Sequence, residues 1–131
     1  MKLGYVLLYV ADVPATLAFY EAAFGLTRKL LHEDGYAELD TGSTTLGFVS
    51  EAVAKTHAVE IGEAGSDRPA PPFEIALVTE ELDAAYRRAL ENGAVAVSPP
   101  TEKPWGQTVS YVRDLNGFLV ELCTPVKAPE A

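Results

Sequence analysis

Cysteine and histidine are nearly missing from this chain of 131 residues: Cys123 stands alone, and His32 and His57 are the only imidazoles. A single cysteine excludes an intramolecular disulfide framework and suits a reducing compartment. With two histidines, no site can draw three imidazoles from one chain. Neither histidine has a partner at a spacing such as His-x-x-x-His, so both read as surface residues. Basic residues are also scarce, ten Lys and Arg against nineteen Asp and Glu, for a formal net charge of −9. That deficit argues against nucleic acid and anionic membranes as partners, since both recruit basic surface. Long apolar runs are lacking too. The opening stretch carries one lysine and a short apolar segment that stops at Asp12. Neither a signal peptide nor a membrane span is expected from it, and the default location is the cytoplasm. No Gly-x-Ser-x-Gly elbow, phosphate loop or dinucleotide fingerprint occurs. Cys123 lacks a second cysteine at Cys-x-x-Cys spacing and an adjacent base, so it reads as an inert buried thiol.

What the chain does have is ordinary globular material, 48% hydrophobic and 22% charged, enough for one domain or two very small ones. Tyr5–Val10 is short, β-branched and aromatic, and reads as a buried strand. Asp12 follows as a helix N-cap with Pro14 in the first turn. Val13, Leu17, Tyr20 and Phe24 then form one amphipathic stripe that Gly25 closes. Hairpin signals stand at Asp34-Gly35 and at Asp40-Thr41-Gly42-Ser43. The second of these places Tyr36 across from Gly47. The stretch from 52 to 71 is rich in Ala, Gly and Pro and reads as a connector.

After it the pattern restarts. Residues 73–78 form another short apolar strand, with Thr79 as the expected N-cap of a second helix. Leu82, Ala85, Tyr86, Ala89 and Leu90 make its stripe, and Asn92-Gly93 its end. Strands follow at 94–98, 108–113 and 118–124, the last two joined by the turn Asp114-Leu115-Asn116-Gly117. Aligning the halves at their starts pairs Tyr5 with Glu74, Asp12 with Glu81 and Leu17 with Tyr86. Aligning their final hairpins pairs Asp40 with Asp114, Ser43 with Gly117 and Gly47 with Glu121. The chain is therefore a repeat. Module 1 spans about 3–51, the connector 52–71, module 2 about 72–126, and 127–131 is a frayed tail. A unit of roughly 50 residues cannot bury both faces of a four-stranded sheet, so the two must share a surface where function should lie.

This double βαβββ layout resembles the vicinal oxygen chelate superfamily of glyoxalase I, bleomycin-resistance proteins and extradiol dioxygenases. The likeness is carried by Val10-Ala11-Asp12, Phe19-Tyr20 and Phe24-Gly25-Leu26 in the first half. In the second half it is carried by Lys103-Pro104-Trp105-Gly106-Gln107 and by the run from Asp114 to Leu122. It covers about residues 3 to 125. The resemblance implies an α+β fold in which tandem modules form a curved mixed sheet around a cavity, with helices on the outer face. Metal-using members hold a divalent ion with four side chains facing the concave sheet. Carried over position by position, those fall at Tyr5, Gly47, Glu74 and Glu121. Only Glu121 matches the usual identity, Glu74 stands where histidine is commonest, and Gly47 has no side chain. A first-row metal is therefore not expected, since such ions take three or more donors and favour imidazole nitrogen. Glu74 and Glu121 could at most hold a hard ion weakly, with water completing the shell.

The candidate ligand-binding residues are Tyr5, Tyr36, Gly47, Glu74, Trp105 and Glu121; no catalytic residue is assigned. Alternation puts Leu119, Glu121 and Cys123 on one strand face, where Glu121 either faces the cavity or meets water or an arginine. Glu74 shares its face with Ala76 and Val78, and either lines the same cavity or is solvated. If the two carboxylates meet, their repulsion raises at least one pKa, and together they attract an ammonium or guanidinium group. Trp105 is either a stacking surface for a planar ligand, as in bleomycin-resistance-like members, or a loop or dimer contact. The tyrosines fit cavity lining or ordinary core packing.

Two functions follow. The leading one is a bleomycin-resistance-like protein that sequesters a small aromatic or cationic compound without a complete metal site. The other is a metal-dependent lyase, isomerase or dioxygenase, in which an ion polarises two vicinal oxygens. The family's habits and the exposed sheet edges also imply a homodimer.

Overall fold

The computed structural model describes residues 1–126. In chain order these form β1 (Tyr5–Val10), α1 (Val13–Phe24), β2 (Thr27–His32), β3 (Tyr36–Asp40), β4 (Thr45–Ser50) and α2 (Glu51–Thr56). There follow β5 (Glu74–Val78), α3 (Leu82–Glu91), β6 (Val95–Lys103), β7 (Gln107–Arg113) and β8 (Leu119–Cys123). The expected tail at 127–131 lies outside the described residues. The chain divides into two compact units, Met1–Glu63 and the residues from Ala64 onward. Each is built on a four-stranded mixed sheet, β1-β4-β3-β2 in the first and β5-β8-β7-β6 in the second. The fold is α+β, a βαβββ arrangement written twice.

In the first unit the helix forms where its signals stand. The Asp12 carboxylate accepts from the Ala15 N–H at 2.9 Å, satisfying one of the donors that a helix start leaves orphaned. Gly25 closes the helix at φ 68°, its N–H reaching the Glu21 carbonyl, a conformation that lacks a steric cost only for glycine. Between these caps Val13, Leu17 and Tyr20 are buried. They cover the sheet face carrying Leu8, Val10, Leu39, Leu46 and Phe48, all buried as well. The Tyr20 and Phe48 rings stand 4.8 Å apart at their centroids.

Several details in the second unit differ from the sequence expectation. Thr79 is not the cap of α3. Its N–H is bonded to the Cys123 carbonyl, which keeps it attached to the sheet, while its hydroxyl accepts from the Glu81 N–H at 3.1 Å. Glu81 takes the cap position without a side-chain cap bond. Strand β6 runs on through Pro99-Pro100 to Lys103, with register shifts at Ala96/Ser98 and Ser98/Thr101. Only an edge strand tolerates prolines in this way, because one of its sides needs no N–H donors. The connector opens with α2, capped by the Ser50 hydroxyl accepting from Val53.

The later part of the connector is clasped by one guanidinium. Arg113 Nε donates to the Gly117 carbonyl at 2.9 Å, and Nη2 donates to the Gly65 and Arg68 carbonyls at 3.2 and 2.6 Å. The β7–β8 turn that it grips is organised by buried Asp114, whose Oδ1 accepts from the Asn116 and Phe118 N–H groups. This accounts for three backbone carbonyls and two amides around one turn.

Candidate functional site

Because strand side chains alternate, residues beside those that pack on a helix point to the opposite face of the sheet. In the first unit that helix-free face carries Tyr5 and Leu7 on β1, Gly47 on β4, and Tyr36 and Glu38 on β3. In the second it carries Glu74 and Ala76 on β5, Glu121 on β8 and Tyr111 on β7. The sequence-predicted residues thus fall into two groups, Tyr5, Tyr36 and Gly47 in one unit and Glu74, Glu121 and Trp105 in the other.

The register in the first unit corrects one expectation. Glu38, not Tyr36, stands across from Gly47, and Tyr36 pairs with Val49. The β3–β4 turn closes two residues later than its Asp-Thr-Gly-Ser motif suggests. A slip of two preserves the face of every side chain, so Tyr36 still points as expected and its hydroxyl lies 3.6 Å from where a Cβ at Gly47 would be. The space at Gly47 is filled: the same Cβ would stand 2.7 Å from Leu7 Cδ2 and 3.0 Å from the Ala37 carbonyl. Tyr36 donates to Glu38 Oε2 at 2.9 Å. Burial, that hydrogen bond and the Glu38 charge push the Tyr36 phenol up to about 12. Tyr5, on the sheet edge, is exposed.

Glu38 is the residue that sequence reading overlooked. It is 8% exposed, and Lys29 Nζ lies 3.9 Å from its Oε1. Lys29 reaches it from a β-bulge, where the β2–β3 register shifts between Arg28 and Leu30. The alternation Tyr-Ala-Glu-Leu-Asp is the signal that could have found Glu38, since it puts this carboxylate on the same face as Tyr36.

In the second unit Glu74 and Glu121 meet. Glu121 pairs with Ala76 on the neighbouring parallel strand, which makes Glu74 its diagonal neighbour on the same face. Glu74 is exposed, but partial desolvation against the sheet raises its carboxyl above the ordinary range, and the Glu121 charge and a hydrogen bond with Glu121 raise it further. Tyr111, directly across from Glu121, donates to its Oε1 at 2.9 Å. That hydrogen bond, with burial and the nearby charges, pushes the Tyr111 phenol up to about 12. Cys123, 2% exposed, is pushed up to about 11 by burial and by Glu121, so it is no nucleophile at neutral pH. No Lys or Arg among the described residues lies within 4.0 Å of either glutamate.

Trp105 sits at the β6–β7 turn, 58% exposed. Its indole N–H donates to Gln107 Oε1 at 2.7 Å, and Gln107 in turn donates to the Thr124 carbonyl at 3.0 Å. One ring edge is fixed and a broad face is left open. Beside it, an open cavity of about 390 Å³ is lined by Gln107, Thr108 and Thr124, with Glu80 and Glu102 among its acidic groups.

The residues do not fit a chelated metal. Gly47 offers no donor and has no room for one, Tyr5 is an exposed phenol, and Glu74 and Glu121 engage each other. Among the described residues no three His, Cys, Asp or Glu side chains converge. Two carboxylates fall short of the donor set of a catalytic first-row ion.

The upward shift of the Glu74 carboxyl has a consequence for stability. A carboxyl whose pKa is higher folded than unfolded contributes stability below its unfolded value, lost as pH rises through its folded value. Above that pH, Glu74 is an ionised group beside a second carboxylate. Glu74→Gln is therefore expected to melt about 1–3 °C above the wild type at pH 7, with the gain vanishing near pH 4. Calorimetric melts across that range check this, and a gain independent of pH would refute it.

Comparison with known proteins agrees with this architecture. The sequence model of the family described as Glyoxalase/Bleomycin resistance protein/Dioxygenase superfamily matches residues 2–122. A glyoxalase-related enzyme from Fulvimarina pelagi is structurally similar at TM-score 0.80 and 17% identity, over 100% of this chain and 96% of that one. A glyoxalase/bleomycin resistance protein/dioxygenase family enzyme from Burkholderia phytofirmans PsJN aligns at TM-score 0.78 and 20% identity, over 95% and 98%. TioX from Micromonospora sp. ML1 aligns at TM-score 0.71 and 23% identity, over 95% and 98%. No curated protein sequence matches the chain. At these identities the structural likeness speaks for the fold alone.

Proposed function

This chain belongs to the glyoxalase/bleomycin resistance protein/dioxygenase superfamily, and from that premise we propose that it binds a small aromatic cation without a chelated metal. The observation that carries the reading is the diagonal placement of Glu74 and Glu121 on one sheet face, with no lysine or arginine among the described residues within 4.0 Å of either. Two adjoining carboxylates with no opposite charge beside them among the described residues are a natural seat for an organic cation. Trp105 supplies an open indole face in the same unit, pinned by Gln107, for the planar part of the ligand. Tyr111 orients Glu121 through its hydroxyl. Tyr5, Tyr36 and Gly47 line the corresponding face of the first unit.

Calorimetric titration with aromatic amidines and amines, beside their neutral isosteres, tests this, with quenching of Trp105 fluorescence as a second signal. Glu121→Gln is expected to weaken the cations about 10–100-fold and the neutral compounds little. Equal affinity for charged and neutral members would overturn the reading. Elemental analysis of untagged protein separates it from a metal-dependent lyase, isomerase or dioxygenase, which requires stoichiometric Ni, Zn, Fe or Mn. We further propose a homodimer, since β1 is a sheet edge that exposes Tyr5, Val6 and Leu7; light scattering checks its mass. No helix among the described residues is long and apolar enough to cross a membrane, and we place the protein in the cytoplasm, where a free thiol is kept reduced.

A further inference from the structure

We propose that Arg113 has two alternative seats: it clasps residues 65–68 of the connector, and when that segment lifts it turns to Glu121 on the neighbouring strand. The connector is then a strap whose docking sets the charge of the sheet face that carries Glu121.

Arg113 stands on that face. β7 pairs with β8 without a register shift, Tyr111 opposite Glu121 and Arg113 opposite Leu119, and alternation puts residues 111 and 113 on one side of the strand. Arg113 is therefore the diagonal neighbour of Glu121 across one strand gap, within reach of so long a side chain. Glu74 lies one strand further on, beside Leu119. A guanidinium bonds a carboxylate more strongly than a neutral carbonyl, so a pair with Glu121 is the expected arrangement. The structure shows another. Arg113 donates to the carbonyls of Gly117 at 2.9 Å, Gly65 at 3.2 Å and Arg68 at 2.6 Å, and no ion pair within 4.0 Å joins it to Glu121.

The clasp joins a fixed side to a loose one. Asp114 organises the β7–β8 turn through the Asn116 and Phe118 N–H groups, so the Gly117 carbonyl is held in place. Gly65 and Arg68 belong to residues 57–73, which contain no helix or strand. Lacking ladder hydrogen bonds, that stretch opens locally at less cost than β7 or β8. Opening it takes two of the three acceptors from the guanidinium. Glu121, whose Oε1 Tyr111 already holds at 2.9 Å, is then the charged acceptor on the adjacent strand. Docked, the strap withholds a cation from this face; lifted, it delivers one. Strap docking and binding of a ligand cation then favour each other by linkage. That last consequence rests on the ligand reading above, whereas the two seats of Arg113 do not.

Two measurements test the seats with no ligand present. In Gly117→Ala the added Cβ would meet the Gly65 carbonyl and Arg113 Nη2, which opens the clasp. Its crystal structure is expected to show the guanidinium within about 4 Å of the Glu121 carboxylate. A guanidinium still on the Gly65 and Arg68 carbonyls, or turned to solvent, would overturn the proposal. Hydrogen exchange of Glu121→Gln decides the matter if Gly117→Ala does not fold. Glutamine keeps an acceptor for Tyr111 but removes the rival charge, so the strap opens less often. Exchange at residues 64–70 is expected to slow at least about threefold, with β7 unchanged. Wild-type exchange at 64–70, or a slowing shared evenly by the whole unit, would refute the two seats. A failed cation titration would leave both results untouched, so the two readings fail separately.

Discussion

Gly117→Ala is expected to destabilise the protein by about 2–4 kcal/mol, more than one methyl group would suggest. Gly117 has φ +85°, a conformation that costs any residue with a Cβ. The added atom would also stand 2.5 Å from the Gly65 carbonyl oxygen and 2.6 Å from Arg113 Nη2. Neither neighbour is a loose chain end. The carbonyl is backbone, and the guanidinium is held by Gly117, Gly65 and Arg68 at once. The strain can be relieved only by opening the clasp, which costs hydrogen bonds to a charged donor. A fall in Tm of roughly 8–15 °C should follow, with new protease cleavage between residues 64 and 72. Calorimetry and limited proteolysis with mass spectrometry read both. A variant that melts with the wild type would show that the turn adjusts without releasing the connector.

Phe48→Ala is expected to cost about 3–5 kcal/mol. Phe48 is completely buried, and its ring packs against that of Tyr20, also completely buried, at 4.8 Å. Tyr20 in turn touches Phe19 and Phe24 edge-on. Truncation leaves a cavity beside an aromatic cluster whose members are fixed by α1 and cannot all move in. Denaturant titration checks it through a lowered midpoint at constant slope. Phe48→Leu, which keeps most of the volume, should lose less than half as much; equal losses would point to a special role for the aromatic ring.

These two positions also mark what could and could not be read from the chain alone. The repeat, the α+β class and the cap residues Asp12 and Gly25 were legible because they depend on local chemistry and on hydrophobic period. The faces of Glu74 and Glu121 were legible because a strand alternates regardless of its neighbours. Pairing was not, since it depends on how a turn closes. The Asp40–Ser43 motif put Tyr36 opposite Gly47, and Glu38, which holds that place, went unnoticed. Bulges are still harder to see: no glycine or proline stands at Lys29 to announce the shift between Arg28 and Leu30, whereas in β6 only Pro99-Pro100 hint at the shifts around them. The Arg113 clasp joins residues 48 and 45 positions apart, a link that no local pattern carries. Thr79 shows the opposite error, a sound local cap signal overridden because the sheet holds its N–H.

The parallel pairing of the first and last strand in each unit governs the order in which the protein can form during its synthesis. Tyr5 has no partner until Thr45 has left the ribosome, and Glu74 waits likewise for Leu119. Each opening strand therefore spends the making of its own unit as an unclaimed apolar ribbon. The antiparallel hairpins, whose partners lie close in the chain, can close first and give it a template. Slowing translation once Ser50 has emerged should favour a finished first unit.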